Sequence, residues 1–388
     1  MLIPRRVLVV SVALAAGAVG LTGARAATRD FTVHHVSGWR APGVRVTVTG
    51  WGPGSATVAL LTGERVVDTT TAGPRGRFQL VFATLRPGRY PLSVAAADET
   101  LSAGTVRIRP VTLAAVGDIT FGEQVGPTLA RLGVRYPWTS VAPLLRRADV
   151  ATGNLETSVS LRGTPAVKQF TFRGAPWMLR PVHSYAGVDV LTLANNHAVD
   201  FGRTALLDTI DAVRAAGMQT IGAGASSGRA RRPAIVTRGG LKVALLGYSD
   251  VNPPGFLATA DAPGTAAAEP TAIAADVHAA LRRADVAVCF FHWGVELHPL
   301  PDSRQKELAA ACLRAGASLV LGAHPHVFGP VVRPSRHTLV AWTLGNFVFP
   351  SGTATSRTGI LQVRLGRDGV EGYRKTPVRI DGFRPVLP

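Results

Sequence analysis

The chain has 388 residues, 46% of them hydrophobic, and a formal net charge of +18. That length carries two domains with full cores, and that hydrophobic fraction excludes a disordered chain. The excess charge is scattered arginine with short clusters such as RARR at 229–232, and no long basic run alternates with aromatics; nucleic acid is therefore not expected as a partner, and either a solvated arginine-rich surface or attraction to a polyanion or membrane surface fits.

The N-terminus reads MLIPRRVLVVSVALAAGAVGLTGARAA, with Arg5 and Arg6, an apolar stretch from Val7 to about Leu21, and then ARA at 24–26. This is the order of a secretory signal peptide spanning 1–27, which predicts an exported, cell-envelope or extracellular protein. An uncleaved membrane anchor is the alternative. From 28 to 110 the chain is short alternating runs separated by turn residues: VRVTVTG (44–50), ATVALLTG (56–63), GRFQLVFATL (76–85), GRYPLSVAAAD (88–98) and GTVRIRP (104–110). Strands at that spacing, without a helical period, predict a small all-β sandwich of immunoglobulin-like texture. His34 and His35 are adjacent and read as surface residues.

From 111 to 388 the texture becomes α/β. VTLAAVGDI, VDVLTLA, LKVALLGYS, ADVAVCFF and ASLVLGA read as buried strands. TALLDTIDAVRAAG (204–217) and DSRQKELAAACLRAGA (302–317) have the helical period and end at or near a glycine. HTLVAWTLGNFVF and GILQVRLGRDGVEGYRKTPVRI read as hairpins, and 258–270 as a surface loop. Cys289 falls in an apolar strand and Cys312 in a helix, which reads as two buried free thiols; a disulfide is the alternative.

In open α/β sheets ligands bind beyond the carboxyl ends of the strands. Strand by strand, those ends carry Asp118, Glu156, then Asn195, Asn196 and His197, then His292, then His324 and His326. Five strands thus end, in chain order, in metal-competent side chains. Carboxylate, amide oxygen and imidazole together suit two borderline cations such as Mn, Fe or Zn. Such a pair polarises a phosphoryl oxygen, and His197 beside it is suited to protonate a leaving group. His183, His278, His298 and His337 stand outside these motifs.

The segments GDITFGE, GNLET, LANNHAVDFG, FHWGVE, GAHPHV and LGNFVF, between about 112 and 350, resemble the CapA family of bacterial capsule-synthesis proteins. That family is associated with poly-γ-glutamate production and belongs to the calcineurin-like metallophosphoesterase superfamily. The resemblance implies a four-layer αββα sandwich with two central mixed sheets. It also implies roles: Asp118 and His326 on a first metal, Glu156 bridging, Asn196, His292 and His324 on a second, and His197 as general acid. The first motif departs from the superfamily, with Thr120 where a histidine is usual, which removes one imidazole from the first metal.

Around the motifs, Glu296 reads either as an orienting partner of His292 or as a solvated acid. Asn195 reads as a turn residue or a support, and Asp200 as the start or cap of the next helix. Asn346 reads as a substrate contact or a turn, and Arg173 as an ordinary surface arginine or an anion contact. Two functions compete. One is a metal-dependent hydrolase acting on a phosphoester or on a cell-envelope polymer. The other is a non-catalytic accessory protein that binds an anionic polymer during its synthesis or export, with a membrane-bound polymer synthase as a further possible partner. A scaffold acting through the N-terminal part is a third class, disfavoured by the ligand set.

Overall fold

A computed structural model describes residues 31–388. The signal-peptide reading lies outside the described residues. Up to Ile108 the alternating sequence forms strands. Thr32–Val33, Val46–Trp51 and Arg77–Phe82 make one antiparallel sheet. Trp39–Arg40, Glu99–Ile108, Gly88–Ala96, Thr57–Thr62 and Arg65–Thr71 make a second, in that order. Period-two burial puts Val46 and Val48 inward and Thr47 outward. Val48, Leu60, Leu80, Val94 and Val106 from both sheets meet in one core. His34 and His35 are exposed.

The remainder is mixed α/β. One sheet runs in the order Gln219–Ile221, Val190–Thr192, Val150–Leu155, Val111–Ile119, Arg357–Gly366, Gly369–Asp381, Arg384–Val386, with Asn346–Val348 also pairing on Val111–Ile119. Its first four strands are parallel and its C-terminal strands antiparallel. The second sheet runs Ala234–Arg238, Leu241–Ser249, Val286–His292, Leu319–Ala323, Leu339–Ala341, Val331–Val332, with parallel strands in the middle. Continuous apolar runs form these central strands because both faces are covered. Leu113, Val150, Val243, Val288 and Leu321 fill the space between the sheets. The helices Gly202–Ala215 and Val125–Leu132 cover the outer face of the first sheet. Pro270–Leu281 and Ser303–Arg314 cover the second. The layers are therefore helix, sheet, sheet, helix.

Local chemistry sets the helix limits. Asp302 caps Ser303–Arg314 by accepting from the Gln305 amide at 2.7 Å, while Gln305 Oε1 accepts from the Asp302 amide at 3.0 Å. The apolar face of that helix then turns Leu308 and Cys312 inward. The hairpin expected in HTLVAWTLGNFVF is not one. Leu339–Ala341 lies in the second sheet and Asn346–Val348 in the first, so this segment crosses between sheets. Gly369, at φ +107°, closes the C-terminal hairpin as expected from its sequence. No helix among the described residues is long and apolar enough to cross a membrane.

The two parts touch. Arg109 stacks its guanidinium 3.7 Å from the Trp39 ring centre and pairs bidentately with Asp149 at 2.6 and 2.7 Å. Ala41 is fully buried in the core between the two larger sheets, its amide donating to Gly239 O at 2.9 Å. Gly239 sits at φ +54°, and a β-carbon there would lie 2.1 Å from the Trp39 ring. The N-terminal sheets are thus seated against the edge of the α/β part.

Cys289 and Cys312 form a disulfide, with Cα atoms 6.8 Å apart, which corrects the reading of two free thiols. Cys289 lies in a strand and Cys312 in a helix, as their sequence surroundings predict, and only the packing of that helix on that strand brings the two together. The bridge closes a loop of sequence separation 23, for which chain entropy gives about 3 kcal/mol of stabilisation. Reduction is therefore expected to lower the unfolding free energy by about that amount, measured by denaturant titration with and without reductant. Two titratable thiols in protein unfolded without reductant would remove the bridge.

Candidate metal centre

The carboxyl ends of the strands in both sheets converge on one buried point. Asp118 is the penultimate residue of Val111–Ile119 and is fully buried. Gly117 precedes it because the chain at Gly345 passes so close that a β-carbon would lie 1.7 Å from its carbonyl oxygen. Asp118 Oδ1 accepts from Asn154 Nδ2 at 2.8 Å, and its Oδ2 lies 3.3 Å from His326 Nδ1 and 3.4 Å from the His324 amide. Glu156 follows Val150–Leu155 and is also fully buried. Neither of its carboxylate oxygens has a hydrogen-bond partner; the nearest imidazole, His292 Nε2, is 3.4 Å away and donates instead to Asn196 Oδ1 at 2.8 Å.

His292 ends its strand with its Nδ1 3.2 Å from Asn154 Nδ2. His324 and His326 lie on the turn after Leu319–Ala323, at φ +94° and +60°. Such left-handed backbone costs a non-glycine residue about 1–3 kcal/mol and is held where the surroundings fix it. The two bends turn both imidazoles inward: His324 is buried with its Nδ1 unpartnered, and His326 Nδ1 is 2.8 Å from Asn346 Oδ1. Asn346 Nδ2 in turn donates to Ser351 Oγ at 2.9 Å.

Potential ligand atoms fall into two buried or near-buried groups that share Glu156: Glu156, His292 and His324, and Asp118, Glu156 and His326. Within each, the atoms lie no more than 4.8 Å apart. A buried carboxylate with two unpartnered oxygens, beside an unpartnered imidazole nitrogen, is a costly arrangement unless a cation takes those lone pairs. This donor set therefore fits divalent metal. The electrostatics agree. Burial, then the Asp118 charge, pushes the Glu156 carboxyl up to about 8. Burial lowers His292 to about 3 and His324 to about 2, leaving neutral imidazoles of the kind metals bind. Burial opposes protonation of His326 too, but its hydrogen bond to Asp118 and the charges of Glu156 and Asp118 raise it to about 10.

His197 stands apart from these groups. Its Nδ1 lies 2.7 Å from Asp200 Oδ2, and its ring stacks on Phe172 with centres 4.1 Å apart. Asp200 is fully buried, accepts the Phe172 amide at 2.7 Å and pairs with Lys168 Nζ at 2.8 Å. Lys168 also donates to Asn196 O at 2.6 Å. The loop before Phe172 is thereby tied to the turn that carries Asn196 and His197.

The structure brings Asp118, Glu156, Asn196, His292, His324 and His326 together with His197 alongside, and it adds Asn346 through His326. Asn195 is both turn and support: its Nδ2 donates to Asn154 Oδ1 and Leu155 O, and its Oδ1 accepts the His197 amide. Glu296 does not touch His292, whose nitrogens face Asn154 and Asn196. Glu296 is exposed, with a carboxylate oxygen near His324 and His326. Asp200 does not cap the following helix, which starts from Phe201 without a side-chain cap. Arg173 donates through Nη2 to Arg162 O and Gly163 O and lies over Phe201, while its Nε has no partner. Thr120 accepts the Gly122 amide at 3.1 Å and supplies no imidazole. Sequence reasoning missed Asn154 and Lys168. Asn154 lay inside the quoted GNLET motif two residues before Glu156, whereas a single lysine in a loop carried no signal.

Residues 112–351 match the family described as bacterial capsule synthesis protein PGA_cap. The PGA biosynthesis protein CapA of Bacillus subtilis is 31% identical over 315 residues, covering 80% of this chain and 80% of that protein. The capsule biosynthesis protein CapA of Bacillus anthracis is 32% identical over 284 residues, covering 71% and 69%. Among solved structures, a 5'-nucleotidase precursor from Thermus thermophilus aligns at 15% identity over 71% of this chain and 56% of that one, with a TM-score of 0.44, too low to carry weight. With the match spanning the ligand-bearing strands in order, the chain belongs to the PGA_cap family of bacterial capsule synthesis proteins.

Proposed function

We propose that this chain is an exported protein of capsule or poly-γ-glutamate synthesis that works through a dinuclear metal site as a hydrolase. The observation that carries the metal reading is Glu156, whose two buried, unpartnered oxygens belong to both ligand groups at once. A carboxylate so placed is suited to bridge two cations, with Asp118 and His326 on one side and Asn196, His292 and His324 on the other. Bound there, the pair would supply Lewis acidity toward a phosphoryl or carbonyl oxygen. The donor set suits Mn, Fe or Zn. The calcineurin-like phosphoesterase kinship, suggested by the motifs, supports the same chemistry.

The protein's own residues would do the rest. Asn154 and Asn195 hold Asp118, His292 and the strand-end turn in register through a chain of hydrogen bonds. Asp200 accepts from His197 Nδ1 and so would stabilise the imidazolium, whose Nε2 proton is the one available to a leaving group. Phe172 stacks on that ring and fixes its plane. A disulfide in the core supports an oxidising compartment, in keeping with export.

Thr120 favours a second reading. Its hydroxyl serves the Gly122 amide, so the first metal would lack one imidazole. On that reading the protein binds an anionic polymer without cleaving it, as an accessory to synthesis or export.

Three outcomes are expected. First, Glu156→Ala lowers metal content more than Asn196→Ala does, read by elemental analysis of folded protein, because a bridge serves both ions. Equal metal content in wild type and Glu156→Ala would take Glu156 out of the site. Second, metal affinity rises with pH from about 6 toward 10, because Glu156, raised to about 8, and His326, raised to about 10, hold protons that a cation must displace. Calorimetry in buffers of different ionisation enthalpy should register up to about two protons released per loaded site near pH 7; no release would contradict the ligand assignment. Third, His197→Ala keeps metal and fold but loses about 10² to 10⁴-fold in kcat on phosphodiesters with poor leaving groups, and less on aryl esters. Full turnover of a poor leaving group by that variant would exclude the acid role. No turnover by the wild type, together with metal-dependent polymer binding, would favour the accessory reading.

A further inference from the structure

Away from the metal centre a cleft of about 630 Å³ opens along the side of the sandwich, within the range of small-ligand sites. One wall is the far half of the helix Gly202–Ala215, and the other is the segment that carries RARR at 229–232. Between them run two edge strands, Gln219–Ile221 of the first sheet and the start of Ala234–Arg238 of the second. The floor is aliphatic, with Leu207, Ile210 and Met218, and no aromatic side chain lines it. Arg214, twelve residues past the helix start near His197, is about 18 Å along the axis from it at 1.5 Å per residue. The opposite end, at Ala223–Gly224, follows Ile221, which pairs with Thr192 on the strand leading to Asn195. The cleft therefore runs along the flank toward the end of the sheet that bears the metal centre.

The rim is basic and underused. Arg231, in the middle of the RARR run, is spent on structure, bonding Asp276 at 2.7 and 2.9 Å and Ala272 O at 3.0 Å. That anchor fixes the segment and leaves its neighbours over the cleft. Arg229 and Arg232 line it, are exposed, and make no ion pair or side-chain hydrogen bond among the described residues. Arg214 faces them across the cleft, and Asp211, the one acid that also lines it, is 3.6 Å from Arg214 and 78% exposed, so that pair is weak and leaves three guanidiniums against one carboxylate. Three guanidiniums on two walls over an aliphatic floor match an extended chain with carboxylates at intervals on methylene stems. The lack of an aromatic lining leaves no stacking platform for nucleic acid bases.

We propose that this cleft binds an acidic polypeptide chain, with Arg214, Arg229 and Arg232 holding its carboxylates and the aliphatic floor receiving its methylene groups. The site is separate from the metal centre and requires no catalysis. A holding site on the flank would keep a growing polyanion beside the protein whichever reading of the metal centre is right.

The test is fluorescence anisotropy of the full chain with a fluorescein-labelled glutamate oligomer, at low and at physiological salt. Arg229→Glu combined with Arg232→Glu should weaken binding at least about tenfold, since like charges would then face the ligand. Arg65→Glu combined with Arg75→Glu, both exposed in the N-terminal β part, makes the same change in net charge and should alter affinity by no more than about twofold. Inorganic phosphate at equal total charge should not displace the oligomer, and a metal chelator should leave binding unchanged. The proposal is overturned if the wild type does not bind the oligomer or if the two double variants lose affinity equally. Displacement by phosphate, or loss of binding on chelation, overturns it as well. The chelation arm separates the two claims, because binding that survives while turnover disappears leaves the cleft standing apart from the metal centre.

Discussion

Two carboxylates, Asp118 and Glu156, lie side by side with no exposure to solvent, and the architecture of the site follows from making that tolerable. Like charges in a low-dielectric interior repel strongly, and each also loses its hydration. The molecule answers the two differently. Burial alone would raise Asp118, but its hydrogen bond to His326, with the His326 charge and the Asn154 amide, holds it below the ordinary carboxylate range. Glu156 receives no donor, and burial and Asp118 push it upward. One acid is thus stabilised by the protein, and the other is left to whatever cation enters.

That asymmetry explains the second layer of side chains. Asn154 gives its amide nitrogen to Asp118 and approaches His292 with it, while its oxygen accepts from Asn195. Asn195 in turn fixes the His197 amide. Three strands of the first sheet and one of the second are therefore linked through two amides. Displacing either would shift ligands on both sides of Glu156. The left-handed backbone at His324 and His326 belongs to the same compromise: local strain on one turn brings two imidazoles to bear on a point that regular strand geometry would not reach.

The His197 turn is held from outside the sheet. Lys168 and Phe172 come from a loop that crosses the site, and they join the Asn196 carbonyl, the Asp200 carboxylate and the His197 ring. The His197 ring is fixed in plane by a stacked aromatic and in direction by a carboxylate. Of the imidazoles in the two candidate ligand groups, His292 is held by the Asn154 and Asn196 amides and His326 by Asn346 and Asp118, while His324 Nδ1 has no partner. That difference is what the proposed roles require, a ring that meets a leaving group and rings that present lone pairs.

Much of this was legible in the sequence because strand periodicity is local. Apolar runs that stop at Asp118, Glu156, Asn196, His292 and His324 mark strand ends, and parallel strands covered on both faces must put those ends together. The period-two pattern before Ile108 likewise indicates paired sheets, and Asp302 with Gln305 marks the start of a helix. Local sequence therefore sets the class of each element and the side chains that stand at the strand ends. Tertiary structure alone decided the pairings that join distant segments. It set Cys312 against Cys289, carried Leu339–Ala341 and Asn346–Val348 into different sheets, turned Asp200 toward His197 rather than the next helix, and brought Lys168 to the same carboxylate. Those outcomes depend on how whole layers pack, because a side chain's partner across the core is fixed by the register and crossing of elements far apart in the chain and not by its own neighbours in sequence.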